Sequence, residues 1–137
     1  MIEIVEGVDE NIYAQTEKLW LALGLTHARR GDNLAMVEQT RRNGGRFYTA
    51  RDGDRVVGTC WLTTDARRLY IHHMGVHADY QNRGIGRTLL EIAVTYGDTL
   101  GQQCKLEVHE DNAAARHLYE SLGFAEIEGY RVLIRRD

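Results

Sequence analysis

Residues 76–90 read VHADYQNRGIGRTLL, and this stretch organises the rest of the chain. A strand-like run ends at Val76, a polar turn containing Gly84 and Gly86 follows, and helical periodicity begins at once. A helix that begins at a glycine turn presents free backbone N–H groups and the positive end of its dipole, and both suit a phosphate. The stretch therefore predicts a site for a phosphate-bearing ligand.

Two glycines before a helix also occur in turns that bind no ligand, so the glycines alone do not identify a phosphate site. Known phosphate-binding motifs differ in the residues around the glycines. The turn has no lysine where a P-loop requires one. A Rossmann turn is also excluded, because Leu89 stands where the third glycine should be. The polar and positive residues Gln81, Asn82 and Arg83 instead indicate a pyrophosphate cradle of a different kind.

The amino-acid composition limits the classes of protein to which this chain can belong. The 137 residues carry a formal net charge of −3, with 43% hydrophobic and 27% charged side chains, which predicts one globular domain over residues 1–137. Acidic and basic residues are intermixed, so we expect no nucleic-acid partner. No apolar run reaches the roughly 20 residues of a membrane helix and no signal pattern begins the chain, which predicts a cytoplasmic protein without membrane attachment.

The cysteines and histidines show no metal-ligand spacing. Cys60 and Cys104 are the two cysteines, and each lies in an apolar, strand-like stretch. We expect buried free thiols and no metal site.

Hydrophobic periodicity predicts the order βααβββαβαββ, a mixed sheet with helices on both faces. Capping and stop residues predict helices from Asp9 to Gly24, from Asn33 to Arg42, from Gly84 to Gly101, and from Asp111 or Asn112 to Gly123. The predicted strands are Ile2–Glu6, Arg46–Arg51, Val56–Thr63, Leu69–Val76, Cys104–Val108, Phe124–Ile127 and Tyr130–Ile134. The Asp-Gly pair in Asp52-Gly53-Asp54 predicts a hairpin turn between the second and third of these strands. A polar connection is expected from Leu25 to Asp32.

Two motifs carry a resemblance to a known family. Gln81-x-x-Gly84-x-Gly86 resembles the acyl-CoA pyrophosphate motif Q/R-x-x-G-x-G/A of the GNAT superfamily of N-acetyltransferases. Residues 106–124, LEVHEDNAAARHLYESLGF, are similar to the second signature of that family, in which an Asn precedes a helix that carries a Tyr and ends in Gly-Phe. The resemblance covers Leu69 to Phe124 by motif and the remainder by the order of elements.

The resemblance implies an α/β fold with a mostly antiparallel sheet of six to seven strands, splayed between the fourth and fifth strands. Acetyl-CoA, the acyl donor, would lie in that splay. Backbone groups of Met74 and Val76 would bind the pantetheine arm, and Asn112 would cap its helix and also contact the arm. The pyrophosphate would be held by Gln81, Asn82, Arg83, Gly84, Ile85, Gly86, Arg87 and Thr88.

The resemblance also supplies two candidate catalytic residues. Tyr119 lies on the apolar face of its helix, where a tyrosine commonly packs in the core, but the family keeps a tyrosine hydroxyl near the thioester sulfur as a general acid. Glu107 alternates with apolar neighbours, as an ordinary strand residue would. Some bacterial protein N-terminal acetyltransferases with this pattern use the glutamate as general base, and a carboxylate beside the splay would be partly buried with a raised pKa.

Two histidines are further candidates. His72 and His73 are adjacent in a strand, so their side chains should point to opposite faces, and at most one should face the splay. Either could relay a proton, although a structural histidine is the simpler interpretation. Trp20, Trp61 and Tyr70 are expected core aromatics.

The predicted function is transfer of an acetyl group from acetyl-CoA to a primary amine by direct attack on the thioester. The alternative is a domain of the same fold that binds acyl-CoA as a sensor without catalysis. The acceptor, a small-molecule amine or a protein amine, is left open, as is a homodimer. Only thirteen residues follow Phe124, so the last two strands should be short.

Overall fold

The computed structural model of the protein describes residues 1–26 and 31–136. The described residues form two compact units, which divide between Glu107 and Val108. In chain order the elements are β1 (Ile2–Glu6), α1 (Glu10–Ala22), α2 (Leu34–Arg42), β2 (Arg46–Asp52), β3 (Arg55–Thr64), β4 (Arg68–Val76), a 3₁₀ turn (Ala78–Tyr80), α3 (Ile85–Leu100), β5 (Gln103–Leu106) and α4 (Ala113–Ser121). Half of the predicted connection from Leu25 to Asp32, residues 27–30, lies outside this description.

The first unit is built on a mixed sheet in the order β1-β2-β3-β4-β5. The first three pairings are antiparallel, and β4 pairs with β5 in parallel. Asp52 pairs with Arg55 across a two-residue turn, which confirms the hairpin predicted from Asp-Gly. The mixed α/β fold is therefore as predicted, and none of the described helices is long and apolar enough to cross a membrane.

The predicted number of strands is wrong. The structure has five strands among the described residues, and no strand follows α4. Both predicted C-terminal strands, Phe124–Ile127 and Tyr130–Ile134, are irregular, and Tyr130, Val132 and Ile134 are exposed. Alternation alone favours an extended chain, but a short strand is stable only when a neighbouring strand pairs with its backbone.

Aromatic side chains fill the core between the sheet and the first two helices. Trp20 is fully buried and stacks on Trp61 with ring centroids 5.8 Å apart, while Phe47 packs against Trp20 edge-on. The indole Nε1 of Trp20 donates to Thr59 Oγ1 at 2.8 Å, so its polar group is satisfied. Trp20 and Trp61 are core residues as predicted, whereas Tyr70 is only half-buried.

Both cysteines are free thiols, as predicted, but their environments differ. Cys60 is fully buried, and this burial raises the pKa of its thiol to about 12. Cys104 is half-buried.

Replacement of Gly45 by alanine should destabilise the first unit by about 3 kcal/mol. A Cβ at this buried position would overlap the backbone carbonyl oxygens of Leu62 and Thr40, which cannot rotate away. Urea denaturation measures the loss. Gly53→Asn is the matched control, because Gly53 is exposed in the hairpin turn with open space around it and asparagine tolerates its left-handed backbone. Equal stability of the two variants would contradict the close approach at Gly45.

Candidate active site

The glycine turn forms an uncapped helix start. Gly84 is the N-cap of α3 with φ 81°, and no side chain accepts a hydrogen bond at this position of the helix. Asn82 is also left-handed at φ 64°, and residues 81–84 are exposed. The first amides of α3, on Ile85 and Gly86, have no carbonyl partner within the helix. The turn therefore presents backbone N–H donors at the positive end of a 16-residue helix.

Side chains hold this turn in place from both ends. Gln81 Nε2 donates to the backbone carbonyl of Val76 at 3.0 Å, and Thr88 Oγ1 donates to the carbonyl of Gly84 at 2.9 Å. Tyr80 Oη donates to Asp52 Oδ2 in the β2–β3 hairpin at 2.6 Å, and this hydrogen bond raises the pKa of Tyr80. The guanidinium of Arg83 lies over the Tyr80 ring at 5.0 Å. Sequence reasoning missed Tyr80, because its partner lies 28 residues away and no local pattern links them.

The sheet opens beside this turn. β4 pairs with β5 from Arg68–Gln103 to Ile71–Leu106, where β5 ends. On the other side, β4 remains paired with β3 as far as Val76 and Gly58. The residues of β4 from Met74 to Val76 thus have no paired strand on the β5 side within the described chain. This is the predicted splay, and Met74 and Val76 line it as half-buried residues.

The prediction that His72 and His73 face opposite sides of the sheet is wrong. Thr59 pairs with Gly75 and Trp61 pairs with His72, so Cys60 alone opposes both His73 and Met74 in a β-bulge. His73 adopts φ 47° there. The bulge breaks the strict alternation of the strand, and both imidazole rings lie 5.6 Å from the Trp61 ring.

Glu107 is exposed, whereas partial burial was expected. β5 ends at Leu106, two residues earlier than predicted, and Glu107 follows it as an exposed residue. Because pairing with β4 stops before this position, the strand does not carry the carboxylate into the sheet. The role of Glu107 as a base stays a prediction, and the exposed position of its side chain does not support the expected partial burial.

The second unit contains the other two predicted residues. Asn112 is the N-cap of α4, and its Oδ1 accepts from the amide of Ala115 at 3.2 Å, as its capping role predicts. Tyr119 is buried at 8% exposure and packs against Phe124 with ring centroids 6.0 Å apart. Contacts of Asn112 and Tyr119 with the acyl donor stay predictions.

The described residues fit a CoA pyrophosphate. A side chain added at Gly84 would meet no atom within 4 Å, so the space in front of the helix start is open. Arg83 and Arg87 add positive charge on the exposed side of the turn. Across residues 1–26 and 31–136, no group of three or more His, Cys, Asp or Glu side chains is arranged to hold a metal ion.

A mixed sheet whose β4–β5 pairing ends beside the glycine turn at the start of α3 is the arrangement expected of the GNAT class. The profile of the Acetyltransferase (GNAT) family matches residues 12–124. The chain belongs to this family.

Curated relatives differ in the acceptors that their names state. The mycothiol acetyltransferase of Geodermatophilus obscurus is 35% identical over 88 residues, which are 57% of this chain and 28% of the relative. The N-alpha-acetyltransferase RimI of Mycobacterium tuberculosis is 38% identical over 85 residues, which are 59% of this chain and 52% of the relative. The chain thus matches about half or less of the length of these relatives.

Solved structures agree on the fold. The aminoglycoside N-acetyltransferase AAC(6')-Iy, solved in complex with CoA, superposes with a TM-score of 0.77. The two chains are 16% identical, and the match covers 100% of this chain and 95% of the other. This likeness supports the fold of both units and leaves the acceptor open.

Proposed function

We propose that this protein transfers an acetyl group from acetyl-CoA to a primary amine by direct attack of the amine on the thioester. The observation that carries the proposal is the uncapped start of α3 beside the end of the β4–β5 pairing. The turn would supply donors for the pyrophosphate, and the edge of β4 that has no β5 partner would offer backbone groups to the pantetheine arm.

The reaction needs a base, a donor for the oxyanion and an acid. An ammonium with a pKa near ~10 must lose a proton before its nitrogen can attack, and the chain offers Glu107 and the β4 histidines for this role. A backbone amide of β4 near Val76 would donate to the oxyanion. Tyr119 would protonate the departing thiolate. No covalent enzyme intermediate is required.

The acceptor is a primary amine of a small molecule or of a protein. The names of the relatives include both an N-alpha-acetyltransferase and a mycothiol acetyltransferase, and they support amine acetylation in general. Neither relative is matched over most of its length, so neither name selects the acceptor of this chain.

Release of free CoA thiol from acetyl-CoA should depend on an added amine. A panel should contain a peptide α-amine, a lysine ε-amine, a polyamine, an aminoglycoside and a small amino sugar, with acetyl-CoA binding measured in parallel by calorimetry. Turnover with at least one amine is the expected result. Tight binding without turnover on the whole panel would favour the catalytically silent sensor, and absence of binding would contradict both functions.

A further inference from the structure

His73 and Asp32 form a close pair at the edge of the splay. His73 Nε2 donates to Asp32 Oδ2 at 2.7 Å, and the two side chains are 23% and 20% exposed. Asp32 precedes α2 and is 41 residues away along the chain. Because a carboxylate only accepts, this bond places a proton on Nε2, so the lone pair of the neutral imidazole is on Nδ1. No hydrogen bond occupies Nδ1 among the described residues.

The imidazole is held in a strained but well-supported position. A non-glycine residue at φ 47° costs about 1–2 kcal/mol, and such strain persists only where the surroundings enforce it. Thr59 Oγ1 donates to the His73 carbonyl at 2.8 Å and accepts from Trp20 Nε1 at 2.8 Å. The edge of the imidazole meets the Trp20 ring at a centroid separation of 4.5 Å.

This position lies next to the expected path of the thioester. His73 follows the last β4–β5 pair, Ile71–Leu106, by two residues and precedes Met74. Its ring lies on the face of the sheet that carries Trp61 and packs against Trp20 of α1. The opposite face carries Leu69 and Cys104, which approach Gly97 of α3. α3 and the His73 ring thus lie on opposite faces of the sheet.

We propose that His73, oriented by Asp32, is the catalytic base that accepts the proton of the acceptor ammonium. The proposal rests on the proposed function. The ammonium transfers one proton to Nδ1, and the freed nitrogen lone pair forms the C–N bond with the thioester carbonyl carbon. The C–S bond then breaks, the nitrogen loses its second proton, and the thiolate takes up one proton. The net reaction releases one proton to water, and Asp32 stabilises the transient imidazolium.

Other titratable groups lie near His73. They are His72 on the same strand and Asp32 before α2, while Tyr13 of α1 interacts with Asp32 and packs against Trp20. Burial, with a contribution from His73, lowers the pKa of His72, which is hydrogen-bonded to Thr63 Oγ1 at 2.8 Å. Burial, together with Glu17 and Asp32, raises the pKa of Tyr13 to about 12, so its phenol stays neutral near neutral pH.

The test is the pH profile of kcat/KM with the best amine of the panel. His73→Asn preserves a left-handed backbone, because asparagine tolerates it, and should lower kcat/KM by about 100-fold near neutral pH with little change in acetyl-CoA affinity. The acid limb of the profile should disappear. Asp32→Asn should keep the limb but displace it, as expected of a positioning residue. The exposed His117→Gln is the matched control and should leave the profile unchanged.

A second measurement does not depend on turnover. The ¹⁵N shifts of the assigned His73 ring in the full chain should show Nε2 protonated and Nδ1 unprotonated in the neutral form, and Asp32→Asn should alter them. The proposal would be overturned if His73→Asn kept an unchanged acid limb. Loss of that limb in the single variant Glu107→Gln would also overturn it. If no amine is acetylated, the proposed function fails, and a protonated Nδ1 in the ¹⁵N spectrum would independently overturn the role of His73.

Discussion

Replacement of Gly86 by leucine should raise the Kd for acetyl-CoA by about 100-fold or more. Gly86 lies in the first turn of α3, where the pyrophosphate must approach the backbone N–H groups to hydrogen-bond distance. A leucine side chain in this turn would keep the phosphates away from those donors. Calorimetric titration with acetyl-CoA measures the loss directly, and a thermal melt checks that the variant is folded.

Gly86→Ala is the matched control, since the motif that this turn resembles accepts either glycine or alanine at this position. Alanine should retain most of the affinity, because one methyl group leaves the amides accessible. Wild-type affinity in the leucine variant would mean that the pyrophosphate is bound elsewhere. Loss of affinity in both variants would indicate a closer backbone approach than the motif implies.

Tyr119→Phe should lower kcat by about 100-fold while leaving the acetyl-CoA Kd nearly unchanged. The phenyl ring preserves the packing of this buried side chain against Phe124, and only the hydroxyl is removed. A group that donates its proton as the C–S bond breaks affects the transition state more than the bound substrate. Steady-state thiol release over a range of amine concentrations separates kcat from KM.

Tyr130→Phe provides the comparison within the same unit. Tyr130 is 80% exposed, and removal of its hydroxyl should leave kcat unchanged. Unaltered turnover in Tyr119→Phe would remove this tyrosine from the chemistry. Slower turnover combined with a matching loss of acetyl-CoA affinity would assign it to binding instead.

Local features of the fold were predictable because short-range chemistry determines them. The α3 helix begins and ends at the two glycines that marked its limits, with Gly84 and Gly101 both left-handed. Asn112 caps α4, and Asp52 and Arg55 close the predicted hairpin. In each case a cap or a turn depends on a few neighbouring residues, so the pattern contains the necessary information.

Features that need partners distant in sequence were predicted less well. The alternation of Tyr130, Val132 and Ile134 favoured a strand, but the structure gives these residues no partner strand and leaves them exposed. Glu107 was expected to be partly buried, but β5 ends before it. Whether an extended segment joins a sheet depends on the neighbouring backbone, which periodicity does not report.

The sequence by itself indicated the family, the turn proposed to bind phosphate, and the candidates Glu107 and Tyr119, because the two motifs are contiguous stretches whose spacing can be counted. Only the tertiary structure brought Asp32 within 2.7 Å of His73. The bulge opposite Cys60 also turned both histidines toward Trp61, contrary to simple alternation. The physical reason is that a β-bulge depends on the partner strand and a pair separated by 41 residues depends on the tertiary fold, and local spacing reports neither.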